Sequence, residues 1–288
     1  MLKLYFQILV LITIISLIFI ISGCQFLKKN SSQTLNKKTL SILGDSISTY
    51  PGYSNDGTNT NNTIGNNVIY YTGSNYGITS VDQTWWKQLA NNTDLNVLVN
   101  NSYSGSRVLN NEAGINSAGY LRANQLHDNT GNNSGTKPDI IAVFIGINDF
   151  NYNLPLGIYN EEIYNKIIQN NDGTFSYLEP TNFNEAYAIM LHKITSTYDK
   201  ADVYCFTLLP NGYNTNYSLL EEFNNSIRNI ANHYNVKIVD LYKDSGITTS
   251  NYLDYSNDPT GLHPNANGMN AIFETFKKVL RNTYTLKE

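Results

Sequence analysis

Cysteine is nearly missing from this chain: Cys24 and Cys205 are the only two in 288 residues, too few for a disulfide framework. Basic runs are missing as well. Nineteen Lys and Arg against 23 acids leave a net charge of −4, and without clustered cations to neutralise phosphates the chain is not expected to bind nucleic acid. Histidine is scarce, with four residues, and no His/Cys/acid cluster has ligand spacing; the Asn-rich stretches around Asp56 lack the EF-hand pattern. Neither a metal nor an organic cofactor is therefore expected. There is no G-x-S-x-G elbow and no internal repeat. What the chain does hold is 41% hydrophobic residues, enough for one substantial α/β core. Asn, Tyr, Ser and Thr are abundant, which suits neutral polar ligands such as sugars, but biased genomic base composition gives the same usage and is the preferred explanation.

Residues 1–23 read as a leader. Lys3 precedes an apolar stretch from Leu4 to Ile21, which ends in Ile21-Ser22-Gly23-Cys24. A positive start, an apolar middle and small residues at a cut describe a signal peptide. The Cys after Ser22-Gly23 resembles the bacterial lipobox, which implies that Cys24 is lipidated and becomes the mature amino terminus. An uncleaved span of about 18 residues is the competing reading. Either places the rest of the chain on the extracytoplasmic face of the cell membrane, the lipobox through a lipid anchor. Residues 24–38 (lipidated Cys, then Gln, Lys, Asn, Ser and Thr) read as a flexible tether, and 39–288 as the folded domain. Cys205, inside an apolar run, reads as a buried and inert thiol.

Five apolar runs follow: Thr39 to Ile47, Asn96 to Asn100, Asp139 to Ile147, Asp202 to Leu209 and Val236 to Leu241. Each is continuous rather than alternating, as in strands buried on both faces of a parallel sheet. Between them lie helical spacings: Phe183, Ala186, Tyr187, Met190 and Ile194; Leu220, Phe223, Ile227, Ile230 and Tyr234; Met269, Ile272, Phe273, Phe276 and Leu280. Ser218 with Glu221 reads as a capping box for the second. Strand and helix alternation predicts a three-layer α/β/α sandwich around a five-stranded parallel sheet. The three longest connections, 48–82, 103–137 and 150–181, all follow a strand's carboxyl end, where open α/β sheets bind ligands.

Four short segments carry the chemistry: Gly44-Asp45-Ser46, Asn101-Ser102-Tyr103-Ser104-Gly105, Gly146-Ile147-Asn148-Asp149 and Gly261-Leu262-His263-Pro264-Asn265. A Ser at a strand end offers a hydroxyl nucleophile, and His263, in a turn before the last helix, a base. The Gly105 N–H, the Asn148 amide and the Ser46 N–H would hold a developing oxyanion. His192 and His233 lie in helical patterns and His127 in a loop, so these three read as structural. Tyr50, Tyr53, Tyr70, Tyr71, Tyr76, Trp85 and Trp86 crowd the same rim. Such rings suit sugar faces, and a Tyr-rich loop packed on itself is the alternative. Trp86, with Leu89 and Ala90, reads as a helix face against the sheet, which leaves Trp85 as the exposed ring.

The order and contexts of these segments, over residues 39–282, resemble the SGNH (GDSL-type) serine hydrolases. The resemblance implies a flavodoxin-like strand order and an acyl-enzyme mechanism on Ser46 with His263 as base, and no cofactor. Members usually carry Asp three residues before the catalytic His; here that position is Thr260. Asp258 is the candidate third residue, with Thr260 or a backbone carbonyl as alternatives that leave a dyad. The expected activity is hydrolysis of small acyl esters, acetyl among them, on a carbohydrate or another acylated small molecule. A lipase, lysophospholipase or thioesterase is the alternative within catalysis, and a surface binding lipoprotein with impaired catalysis the alternative outside it.

Overall fold

A computed structural model describes residues 33–35, 37–53, 69–74, 76–109, 119–128 and 134–286. Five parallel strands form the central sheet: β1 Thr39–Gly44, β2 Asn96–Ser102, β3 Ile140–Phe144, β4 Asp202–Phe206 and β5 Lys237–Val239. Their spatial order is β2-β1-β3-β4-β5, the doubly wound flavodoxin-like order that the family resemblance implies. The continuous apolar runs are explained by burial on both faces. All five residues of β3 are buried, and Leu40, Ile42 and Leu43 of β1 are fully buried.

The helices are α1 Trp85–Thr93, α2 Gly119–Arg122, α3 Ile147–Asn151, α4 Phe183–Thr197, α5 Tyr217–His233, α6 Leu241–Asp244 and α7 Ala266–Leu280. Helix α1 packs with α7 on one face of the sheet, while α2, α4 and α5 pack in series on the other. Their apolar stripes turn inward at the expected spacings, with Leu220, Phe223, Ile227 and Ile230 all fully buried on α5. Each such side chain contributes about 1.5–3 kcal/mol on leaving water. Helix α5 is not capped as the sequence pattern predicts. Asn216 is its N-cap, accepting from the Leu219 N–H, and Ser218 lies inside the first turn. An Asn side chain caps as well as Ser and sits two residues earlier, so the helix nucleates there.

One further expectation needs correction. The end of the expected tether is not free, because Gln33–Thr34 pair in parallel with Tyr284–Thr285 and Leu35 is buried. The long connection 150–181 carries structure of its own: Ile167–Gln169 and Phe175–Tyr177 form an antiparallel hairpin. Its turn holds Asp172-Gly173, with Gly173 at φ 82°, and an Asp-Gly pair between two short strand-forming runs is a hairpin signal in its own right. Residues 1–32, with the expected leader and Cys24, lie outside the described residues. Among those described, no helix is long and apolar enough to cross a membrane.

Candidate active site

Strand register places the chemistry. Gly44 stands level with Ser102 on one side and Phe144 on the other, so β1, β2 and β3 end on one line. The chain just beyond that line supplies Ser46, Gly105 and Asn148. Gly44 is required there because a Cβ would come within 2.6 Å of Ser102 Oγ. Asp45 then caps a single 3₁₀ turn, Ser46–Ser48, through Oδ1 and the Ile47 N–H at 3.0 Å. The turn is anchored at Ser48. Its carbonyl accepts from Trp86 Nε1 (3.0 Å) and Asn100 Nδ2 (2.8 Å), and its Oγ accepts from Trp85 Nε1 (3.1 Å). Trp85 is therefore fully buried, contrary to the sequence expectation of an exposed ring. Both indoles point inward because both N–H groups find acceptors on this turn.

His263 Nε2 lies 3.0 Å from Ser46 Oγ, although 217 residues separate them. Its Nδ1 lies 2.7 Å from Asp258 Oδ2. Asp258, and not Thr260, meets the ring. The segment Asp258-Pro259-Thr260-Gly261 is a β-turn closed by the Gly261 N–H on the Asp258 carbonyl at 2.8 Å. Pro259 presets its second position. Thr260 instead supports the acid, donating its N–H and its hydroxyl to Asp258 Oδ1, each at 2.9 Å. Ser256 Oγ donates to the His263 carbonyl at 2.5 Å and accepts the Asp258 N–H at 3.0 Å, which ties the two ends of the turn together.

The electrostatics leave a neutral base beside a charged acid. Burial pushes His263 down to about 4, although Asp258 favours its protonated form. Burial works against the charge on Asp258 too, but the Thr260 donors and His263 outweigh it and hold that carboxyl below its ordinary value. A neutral imidazole with Nδ1–H held by a carboxylate presents its Nε2 lone pair to the Ser46 hydroxyl.

Asn148 is the second residue of α3, which opens at Gly146 with φ 124°. One N–H of its side-chain amide bonds the Ser106 carbonyl at 2.8 Å, orienting the group and leaving the second hydrogen for a bound oxygen. Gly105, at φ 76°, occupies the third position of a turn closed by the Ser106 N–H on the Tyr103 carbonyl. It is exposed, and its own N–H has no acceptor among the described residues. The loop is fixed from below. Asp149 accepts the Val108 and Leu109 N–H groups, both at 2.8 Å. Arg122, fully enclosed, reaches Ser106 Oγ, the Asn101 carbonyl and the Gly44 carbonyl. Burial pushes Asp45 and Asp149 up to about 7 and Arg122 down to about 9. The quoted motif held Asp149, but no role for it, or for Arg122, was legible in the sequence.

The other histidines stay away from this place. His127 pairs with the Tyr198 hydroxyl, His192 with the Tyr177 hydroxyl, and His233 stacks on Tyr164. Cys205 is buried and free, its thiol pushed up to about 12 by desolvation. Among the described residues no group of three or more His, Cys, Asp or Glu is placed to hold a metal ion. A cleft between Tyr198, Asp202, Tyr234 and Lys237 opens at the opposite, amino-terminal edge of the sheet. The aromatic rim is divided: Tyr71 is buried, Tyr53 exposed, and Tyr70 lies flat on the His263 ring.

A profile of GDSL-like lipase/acylhydrolases matches residues 38–280. The chain belongs to that family. It is an ester-hydrolysing enzyme with the family's α/β fold. A solved Bacteroides ovatus protein assigned as a GDSL-like lipase is 30% identical, with 86% of this chain and 100% of that one covered and a TM-score of 0.62. One from Bacteroides uniformis, assigned in the same way, is 24% identical over 85% and 96%, with a TM-score of 0.61. Est24 of Sinorhizobium meliloti, a carbohydrate acetylesterase, shares the fold at 12% identity over 85% and 100%, with a TM-score of 0.53. Among curated proteins none matches the chain.

Proposed function

We propose that this GDSL-like hydrolase is a serine esterase in which Ser46, His263 and Asp258 act as nucleophile, base and orienting acid. The observation that carries the reading is His263 set between the two others, 3.0 Å from one and 2.7 Å from the other. Ser46 Oγ attacks the ester carbonyl while its proton passes to His263 Nε2. Negative charge on the carbonyl oxygen is met by the Asn148 amide and the Gly105 and Ser46 N–H groups. Collapse breaks the bond to the alkoxide, which leaves with the proton from His263. A water, deprotonated by the same imidazole, then releases the acyl group as a carboxylate and restores Ser46.

The substrate proposed is a small acyl ester, acetyl foremost, on a carbohydrate. Ser46, Asn148 and His263 are each at least nine-tenths buried, which favours a small acyl group at the reacting carbonyl. Around that edge of the sheet stand half-exposed tyrosines, Tyr152 and Tyr213, whose rings suit a sugar face. Est24, named for such an activity, has the same fold. The binding-protein alternative rested on Thr260 in the place of an acid, and Asp258 at the ring removes that support.

The test is turnover of 4-nitrophenyl esters of increasing chain length and of an acetylated oligosaccharide, beside Ser46→Ala. Equal turnover by both proteins overturns the mechanism, and a steep preference for long chains overturns the small-acyl reading. Residues 1–23 as a lipoprotein leader with Cys24 as the lipid attachment site remain part of the proposal. Labelling with a fatty-acid analogue in a bacterial host, lost in Cys24→Ala, is the expected result.

A further inference from the structure

Tyr70 packs against His263 more closely than a wall residue needs to. The two ring centroids are 3.3 Å apart and the planes only 12° from parallel, whereas aromatic pairs usually settle for offset or edge contacts. Behind Tyr70 lies Tyr76, stacked at 5.0 Å and 18°. Tyr76 is itself held at φ 53°, a conformation a bulky residue adopts only where its surroundings impose it.

The backbone at Tyr70 is tied to the nucleophile turn. Its N–H donates to Thr49 Oγ1 at 2.9 Å, and that hydroxyl donates to the Ser46 carbonyl at 2.9 Å. The next residue ties the base turn, because the Tyr71 hydroxyl donates to the Pro264 carbonyl at 2.7 Å. Two consecutive tyrosines thus join the turn bearing Ser46 to the turn bearing His263. The bonds at Nδ1 and Nε2 leave the imidazole able to tilt about the line joining them, and a flat cover restrains that tilt and keeps water off the ring face.

We propose that Tyr70 is a positioning residue of this hydrolase, its ring fixing the plane of His263 and shielding it from water so that Nε2 stays aimed at Ser46. The inference rests on His263 being the base. Burial is the main cause of the low His263 value, in keeping with a ring laid over it. The titratable groups around the imidazole are Asp258 on its own turn, Tyr70, Tyr71 and Tyr76 opposite, and Asp45 beside Ser46. Burial drives Tyr70 and Tyr71 upward, so both stay neutral through the working range. Burial also pushes Asp45 up to about 7, with the Ile47 N–H, Arg122 and Asp149 acting on it, so any limb it adds should be common to all variants.

The experiment compares full-length wild type, Tyr70→Phe, Tyr70→Leu and Tyr70→Ala on 4-nitrophenyl acetate from pH 4 to 9. The tether to Thr49 uses a backbone N–H and survives every substitution. Tyr70→Phe keeps the aromatic face and should keep kcat and the acid limb. Tyr70→Leu and Tyr70→Ala should lose about tenfold in kcat with little change in KM. Their acid limb should move up from about 4 toward the ordinary histidine value of 6.5. Wild-type kcat and limb in either the Leu or the Ala protein overturn the proposal, as does a Phe protein as impaired as Ala. In the unsubstituted enzyme diethylpyrocarbonate should modify His263 last of the four histidines, and early modification overturns the proposal without any variant. Failure of the esterase reading is separate: it shows as turnover surviving Ser46→Ala.

Discussion

Asp258 reaches His263 from five residues upstream, Oδ2 to Nδ1 at 2.7 Å, because the residues between them fold into a β-turn that brings the carboxylate back over the ring. The additional length relative to a three-residue spacing is taken up by that turn. Thr260, at the three-residue position, faces the carboxylate and not the imidazole.

The division of labour between these two residues is measurable. Asp258→Asn leaves the shape but offers an amide where Nδ1–H needs an acceptor, and kcat should fall by about 10³–10⁴. Thr260→Val removes one hydrogen bond to Oδ1 and keeps the N–H, so it should cost about tenfold or less. Initial rates on 4-nitrophenyl acetate decide it. A larger loss in Thr260→Val than in Asp258→Asn would reverse the assignment.

Asn148→Ala should lower kcat by about 10²–10³, since a side-chain donor to the oxyanion disappears. Gly105→Ala should cost far less. Its donor is the backbone N–H, and a Cβ at that position meets no atom of the described residues within 4 Å. The penalty is the left-handed backbone at φ 76°, about 1 kcal/mol. The ratio of the two kcat values is the measurement.

Acid should weaken the fold through His263. The folded ring titrates near 4 and an unfolded one near 6.5. Between those values the unfolded chain takes up a proton that the native state refuses. The group's contribution is thus complete above pH 6.5 and is lost as pH falls toward 4. Melting temperatures of wild type and His263→Gln should therefore converge or cross on acidification over that window. Taking the difference cancels Asp45 and Asp149, which both proteins share. A gap that widens toward pH 4 would contradict the prediction.

Arg122→Met should destabilise the protein and also slow it. The guanidinium serves the Gly44 and Asn101 carbonyls and the Ser106 hydroxyl in a fully enclosed position. Each buried acceptor left without a donor costs about 1–3 kcal/mol. Urea unfolding should show a lower midpoint with an unchanged slope. Because Ser106 also orients Asn148 through its carbonyl, kcat should fall while KM for a small ester stays near its original value.

Much of the molecule was legible locally. Continuous apolar runs marked all five strands, because burial on both faces demands them in the three inner strands and over the buried part of the two edge strands. Helical spacings marked α4, α5 and α7. The cap of α5 was misplaced because Asn216 and Ser218 both suit an N-cap, and only the path of the incoming chain chooses between them. The sequence leaves the side of Trp85 open because an indole beside a rim suits either side of it; the Ser48 hydroxyl that buries its N–H lies 37 residues away in sequence.

By itself the sequence determined the kinds of groups available, a strand-end serine, a turn histidine, a glycine and an asparagine, and the apolar rhythm that stacks them into one sheet. Those are properties of residue type and spacing, which local physics reads directly. The tertiary structure alone decided that Asp258 rather than Thr260 meets His263, and that Tyr70 lies over the same ring. Both depend on the angle at which a turn leaves its strand and on what packs across from it. The first is settled inside the Ser256–His263 turn, against a ring held at Ser46. The second is settled by contacts across 193 and 217 residues that no neighbouring residues encode.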